Sequence, residues 1–149
     1  MLETIEDIKE NFAFLDNWAE RYQYIITLGS NLSPYPDDLR NEAHKVSGCF
    51  SQVWLHIMVG EGKDPILTLQ ADSDAYIVRG LIYLVLAYYS GKSASEILAH
   101  PIDTFLADLA LDKNLSPQRS NGLHALINKI HNAATAAIQN IKSHSAIKS

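Results

Sequence analysis

The sequence predicts an α+β fold in a single domain spanning residues 1–149. Three observations carry that prediction. Apolar residues recur at helical spacing at both ends of the chain, they alternate singly across residues 51–71, and a Gly-rich turn splits the alternating stretch in two. Helices that flank a run of strands, rather than alternating with them, imply an antiparallel meander.

The elements follow in order. Ile5, Ile8 and Phe12 sit one helical turn apart, and Leu15, Trp18, Tyr22 and Ile25 continue the pattern until Gly29, where a helix is expected to stop. Pro34 and Pro36 keep residues 30–38 out of regular helix. A strand is expected around His44 to Ser47. From Ser51 to Val59 the chain alternates, with Val53, Leu55, Ile57 and Val59 on one face and Gln52, Trp54, His56 and Met58 on the other. Residues 60–64 form the hairpin turn, and Pro65 to Ala71 the next strand. Asp72-Ser73-Asp74 is read as a supply of capping oxygens for a helix from Ala75 to Ser90, whose wide apolar face places it in the core. Gly91 ends it. Ser93-Ala94-Ser95-Glu96 has the form of a capping box, Pro101 breaks that run, and Asp103 to Leu109 forms a further short helix. Ser116-Pro117 opens the last helix, expected to end near Asn140. The domain core is thus about 5–140, with a frayed tail over 142–149.

Composition narrows the function. The chain has 12 Lys and Arg against 17 Asp and Glu, a net charge of −5, which argues against nucleic-acid binding through phosphate contacts. The segment MLETIEDIKENF is acidic and amphipathic, without the basic n-region of a signal peptide or the Arg-rich character of a transit peptide. The apolar-rich stretch 75–89 contains Arg79 and is too short to span a bilayer. A cytoplasmic protein with no membrane association is expected, and the two glycosylation-like triplets, at Asn31 and Asn114, carry no weight.

The single cysteine, Cys49, rules out an intramolecular disulfide or a multi-thiolate cluster within these residues. Gly48 precedes it, and it falls between a polar stretch and a strand, a position suited to presenting a thiol on a loop. The commoner fate of a free cysteine is that of a small buried hydrophobe. Nothing in the spacing pairs His44 with Cys49 as a base, so a self-sufficient cysteine enzyme is disfavoured. A thiol that only accepts sulfur from an already activated donor needs less help. Arg119, in the first turn of a helix, opposes the dipole and calls for a specific partner. The six histidines form no ligand pattern, and no metal site is expected.

Four blocks in register resemble the SufE family of sulfur-acceptor proteins. Gly48-Cys49-Phe50-Ser51-Gln52-Val53-Trp54 resembles its GC-x-SQVW signature, with Phe50 where Gln is commonest. Asp72-Ser73-Asp74-Ala75 with Ile77-Val78-Arg79-Gly80-Leu81-Ile82, and Leu115-Ser116-Pro117-Gln118-Arg119-Ser120-Asn121-Gly122-Leu123, resemble two further segments. Trp18 to Ile26 with Leu28-Gly29 resembles a fourth, so the likeness runs from about Phe12 to Ala137.

The resemblance implies a SufE/IscU-like fold, with a three-stranded antiparallel sheet and helices packed on one side. Cys49 is then the catalytic residue: it takes persulfide sulfur from a pyridoxal-phosphate cysteine desulfurase, stimulating that enzyme, and passes it to an iron–sulfur scaffold. Asp74, Arg119, Gln52 and Trp54 are implied to support the loop or meet the partner. The chain itself would hold no cofactor, only a transient persulfide, would have no independent turnover, and would be a monomer or weak dimer. Two alternatives stand beside this reading. One is a protein-binding regulator of a desulfurase in which Cys49 is dispensable; the other is an iron–sulfur scaffold, disfavoured by the single cysteine.

Overall fold

The structure is a computed structural model that describes residues 3–48 and 51–148, with side chains described to residue 139. Cys49 and Phe50 lie outside the described residues.

Two capped helices open the chain. In α1 (Ile5–Phe14), Thr4 accepts from the Asp7 N–H, and in α2 (Trp18–Ser30), Asn17 accepts from the Glu20 N–H. Each side-chain oxygen satisfies a donor that the first helical turn leaves unpaired. Helix α2 ends one residue past Gly29, at Ser30, and Gly29 itself is buried where the third helix crosses. Two 3-10 turns, Asp37–Leu39 and Glu42–His44, then lead to the sheet.

The sheet has three antiparallel strands in the order β1 (Val53–Val59), β2 (Ile66–Ser73), β3 (Lys92–Ser93). Strand β1 pairs with β2 from Val53↔Ser73 to Val59↔Leu67. The strand expected at 44–47 is reduced to one bridge, Lys45↔Trp54, and the third strand is instead Lys92–Ser93. Only Lys45 and Val46 reach β1 before the chain turns away at Gly48, whose φ is +88°. Meanwhile the Gly91 turn returns the chain beside β2, where Gly91 N–H donates to Leu67 O and Ala94 N–H to Pro65 O.

Val53, Leu55, Leu67, Leu69 and Ala71 share the inner face and are buried under two helices, α3 (Tyr76–Tyr89) and the long C-terminal helix. Most apolar side chains of α3 are buried, from Ile77 to Tyr89, as its nearly all-round apolar sequence requires, while Tyr76 at its start is exposed. Short helices α4 (Ala94–Ala99), α5 (Asp103–Asp108) and α6 (Leu111–Asn114) close one end, and α4 carries the expected capping box of Ser93 and Glu96. Helix α7 (Pro117–Lys148) continues past Asn140, because no Gly or Pro follows Gly122 to interrupt it. No helix among the described residues is long and apolar enough to cross a membrane.

Candidate functional site: the anchored loop around Cys49

The segment that carries Cys49 is held at both ends. On one side Val46 N–H donates to Val53 O at 2.8 Å, closing the root of the loop next to the Lys45↔Trp54 bridge. Lys129, on α7, donates from its ammonium to Lys45 O at 3.2 Å. One helical turn earlier, Ala125 faces Gly48 closely enough that a Cβ built there would lie 3.6 Å from its own. On the other side Gln52 and Asp74 bind reciprocally: Gln52 N–H donates to Asp74 Oδ1 at 3.1 Å, and Asp74 N–H donates to Gln52 O at 3.3 Å.

That bonding corrects the expectation that Asp72-Ser73-Asp74 caps the following helix, except at Ser73. Ala75 is the N-cap of α3 and makes no side-chain cap bond itself; Ser73 Oγ accepts from the Ala75 N–H at 3.2 Å, while neither carboxylate reaches the helix. Strand β2 extends to Ser73, so Asp74 falls opposite Gln52 and its carboxylate meets the strand instead.

Asp72 turns to the opposite face of the sheet, where its two oxygens meet two guanidinium groups. Arg40 Nη1 lies 2.8 Å from Oδ2, and Arg79 Nε lies 2.9 Å from Oδ1 as an ion pair rather than an aligned hydrogen bond. The bond to Asp72, then one to Asp37, raises the Arg40 pKa further above its ordinary value. Arg40 also stacks over Trp54 at 5.2 Å and Tyr35 at 5.3 Å. Trp54 is thus fixed on the outer face, away from the loop mouth. Sequence reading missed Arg40, which sits in an irregular segment with no periodicity to mark it.

Beside the loop lies a cavity of about 430 Å³ between the start of β1, the start of α3 and the start of α7. Its walls are apolar, including Val53, Ile77, Leu81 and Leu126, and Ser51, Ser116, Gln118 and Arg119 supply polar groups. Chain continuity puts Cys49 two residues from Ser51. Arg119 reaches this cavity because Ser116 caps α7: its Oγ accepts from the Arg119 N–H at 3.3 Å. The Arg119 guanidinium lies over the Tyr22 ring at 5.6 Å, which supplies the partner that its place against the helix dipole called for. Gln52 and Asp74 are therefore bonded to each other, Arg119 shares the cavity with Ser51, and Trp54 stands apart.

Residues 6–134 match the family model described as the Fe-S metabolism associated domain, SufE. The chain belongs to the SufE family. Among SufE relatives, an uncharacterised SufE-like protein of Rhizobium meliloti (strain 1021) is 46% identical over 132 residues, covering 88% of this chain and 94% of the relative. One of Rhizobium etli is 45% identical over 132 residues, covering 88% and 89%. The solution structure of a hypothetical protein from Thermus thermophilus superposes with a TM-score of 0.69, covering 93% of this chain and 99% of that one. At 20% identity it supports the α+β fold alone. Membership in SufE places this chain in iron–sulfur metabolism.

Proposed function

We propose that this SufE-family chain is a cytoplasmic sulfur acceptor whose Cys49 takes the outer sulfur of a persulfide on a pyridoxal-phosphate cysteine desulfurase and delivers it to iron–sulfur cluster assembly. The observation that carries the reading is the anchoring of both flanks of Cys49 beside a cavity with apolar walls and a cation. In the transfer, the Cys49 thiolate attacks the terminal sulfur of the donor persulfide. A new S–S bond forms on Cys49, the donor S–S bond breaks, and the desulfurase cysteine leaves as thiolate, with no net oxidation.

An unperturbed thiol, with a pKa of about 8.5, is only a few per cent thiolate at neutral pH. A neighbouring cation favours the anionic forms of both thiol and persulfide, a role open to Arg119 at the cavity. The apolar walls would shelter a persulfide from oxidants and reductants. Pyridoxal phosphate belongs to the donor enzyme, and the acceptor needs no cofactor of its own.

The test is mass spectrometry after incubation with a cysteine desulfurase and L-cysteine. Gain of one sulfur atom on the Cys49 peptide is the expected result. Desulfurase stimulation that persists undiminished in Cys49→Ser would instead make the protein a regulator and sink the carrier reading.

A further inference from the structure

Six of the seven tyrosines have a partner. Tyr22 lies under the Arg119 guanidinium and Tyr35 under that of Arg40, while Tyr24, Tyr83, Tyr88 and Tyr89 hydrogen-bond through their hydroxyls. Tyr76 differs. Among the described residues its hydroxyl bonds to none and its ring stacks on none, and its side chain is 75% exposed. Exposure alone says little, since single apolar side chains are common on protein surfaces. Position distinguishes Tyr76. The other exposed large apolar side chains stand elsewhere, Phe14 at the end of α1 and Met58, Val59 and Ile66 at the far end of the β1–β2 hairpin. Tyr76 opens α3, directly after Ala75 in the wall of the cavity beside the Cys49 loop.

A protein that hands sulfur to Cys49 must bring its own sulfur into contact with that thiol, so its footprint surrounds the loop. Stable interfaces cover about 800 Å² on each partner, a disc about 16 Å in radius. Cys49 is two residues from Ser51, and Ser51 and Ala75 follow the bonded pair Gln52 and Asp74 out to the cavity. Two extended residues, one strand spacing and one further Cα step place Tyr76 no more than about 16 Å from Cys49. Tyr76 therefore falls within the footprint of any such donor.

We propose that Tyr76 is the aromatic anchor by which this chain docks on its sulfur donor, the cysteine desulfurase, entering an apolar recess beside that enzyme's persulfide. The inference rests on the carrier reading of Cys49. The exposed residues nearby, Gln52, Asp74, Ser116 and Gln118, are all polar. One aromatic side chain within a polar surround is the arrangement that concentrates binding energy in an interface: the ring buries a large area with only two torsions to fix, and its neighbours exclude water around it. Since Tyr76 makes no hydrogen bond or ring contact in the free protein, none is broken when it enters the partner. Asp74 is already bonded to Gln52 and holds the loop, which leaves Tyr76 to make the new contact.

Titrating a cysteine desulfurase with the acceptor, while following alanine release from L-cysteine, separates docking from transfer. Tyr76→Ala should raise the half-saturating acceptor concentration about tenfold and leave the rate at saturation unchanged, and Tyr76→Phe, which keeps the ring, should restore the wild-type value. Ile66→Thr alters an apolar side chain 52% exposed at the other end of β2 and should titrate as wild type. Sulfur uptake by Cys49 from free cysteine persulfide, which has no surface to dock, should be equal in all four proteins. An unchanged half-saturating concentration in Tyr76→Ala, a fall in its saturating rate, a loss of its uptake from free persulfide, or an equal effect of Ile66→Thr overturns the proposal, and each leaves the carrier reading standing. A wild-type Cys49 that gains no sulfur from the desulfurase removes the carrier reading and the docking anchor with it.

Discussion

Replacing Gly80 by alanine sets two effects against each other, and the structure says which wins. Alanine is the better helix former by about 1 kcal/mol, so propensity alone favours the change inside α3. But α2 crosses α3 at this residue. A Cβ at Gly80 would run into the backbone carbonyl oxygen of Ile25 and would lie 2.5 Å from Ile25 Cγ2 and 2.7 Å from its carbonyl carbon. The reverse contact is equally tight, since a Cβ at Gly29 would lie 2.5 Å from Gly80 N. Backbone cannot rotate away as a side-chain tip can, so the helices must part by about 1 Å to regain normal contact. A gap of that size forfeits a quarter to a half of each dispersion contact along the interface of Ile25 and Leu28 with α3. Overpacking against backbone then costs about 3 kcal/mol net of the propensity gain. For a chain of this length that lowers the thermal midpoint by about 10 °C. Thermal unfolding followed by circular dichroism measures it. Gly62→Ala serves as the control: its φ of +100° gives only backbone strain, because nothing lies within 4 Å, and it should cost about 1 kcal/mol. A Gly80→Ala protein that melts at or above the wild-type midpoint would show that the close approach does not constrain these helices.

Three further outcomes follow from the same geometry. Asp74→Ala removes the bond to Gln52 N–H at an exposed site, so stability should fall by only about 1 kcal/mol while sulfur loading of Cys49 drops severalfold; Asp74→Asn, which keeps an acceptor oxygen, should restore loading, and unchanged loading in the alanine variant would detach Asp74 from the loop. Tyr89 is fully buried, its hydroxyl accepts from Ile102 N–H at 3.0 Å and lies 2.8 Å from His131 Nε2, and burial pushes its pKa up to about 12, so Tyr89→Phe should cost about 1–3 kcal/mol in denaturant titration and leave sulfur acceptance untouched. Asp64, hydrogen-bonded by Ser95, and Glu96, hydrogen-bonded by Ser93, have carboxyl pKa values below their ordinary 3.8 and 4.5; a depressed folded pKa adds stability above the unfolded value that is lost as pH falls through the folded one, so the double variant Asp64→Asn, Glu96→Gln should lose less thermal stability than wild type between pH 5 and pH 3.

Much of the molecule was legible in local pattern. The alternation from Val53 to Val59 specified β1 and the face that Val53 and Leu55 bury, the capping box at Ser93 specified α4, and Ser116-Pro117 marked the start of α7, because each depends on residues within a few positions of one another. Cys49 stood out as the only thiol, and its neighbours carried the family likeness. What escaped depended on distant partners. Asp74 looked like a cap from its position, and only the register of β1 against β2 turned its carboxylate to Gln52. Gly29 looked like a helix stop, and only the passage of α3 made it a contact point. Arg40, in an irregular segment, acquired its role from Asp72 and Trp54 across the sheet. The sequence by itself determined the helices, the first two strands, most core-facing residues and the thiol, since these follow from backbone propensity and side-chain period. Tertiary structure alone decided the third strand, the cavity beside Ser51 and the partner of each charged group, since those arise where chain segments far apart in sequence compete for the same space and the same hydrogen bonds.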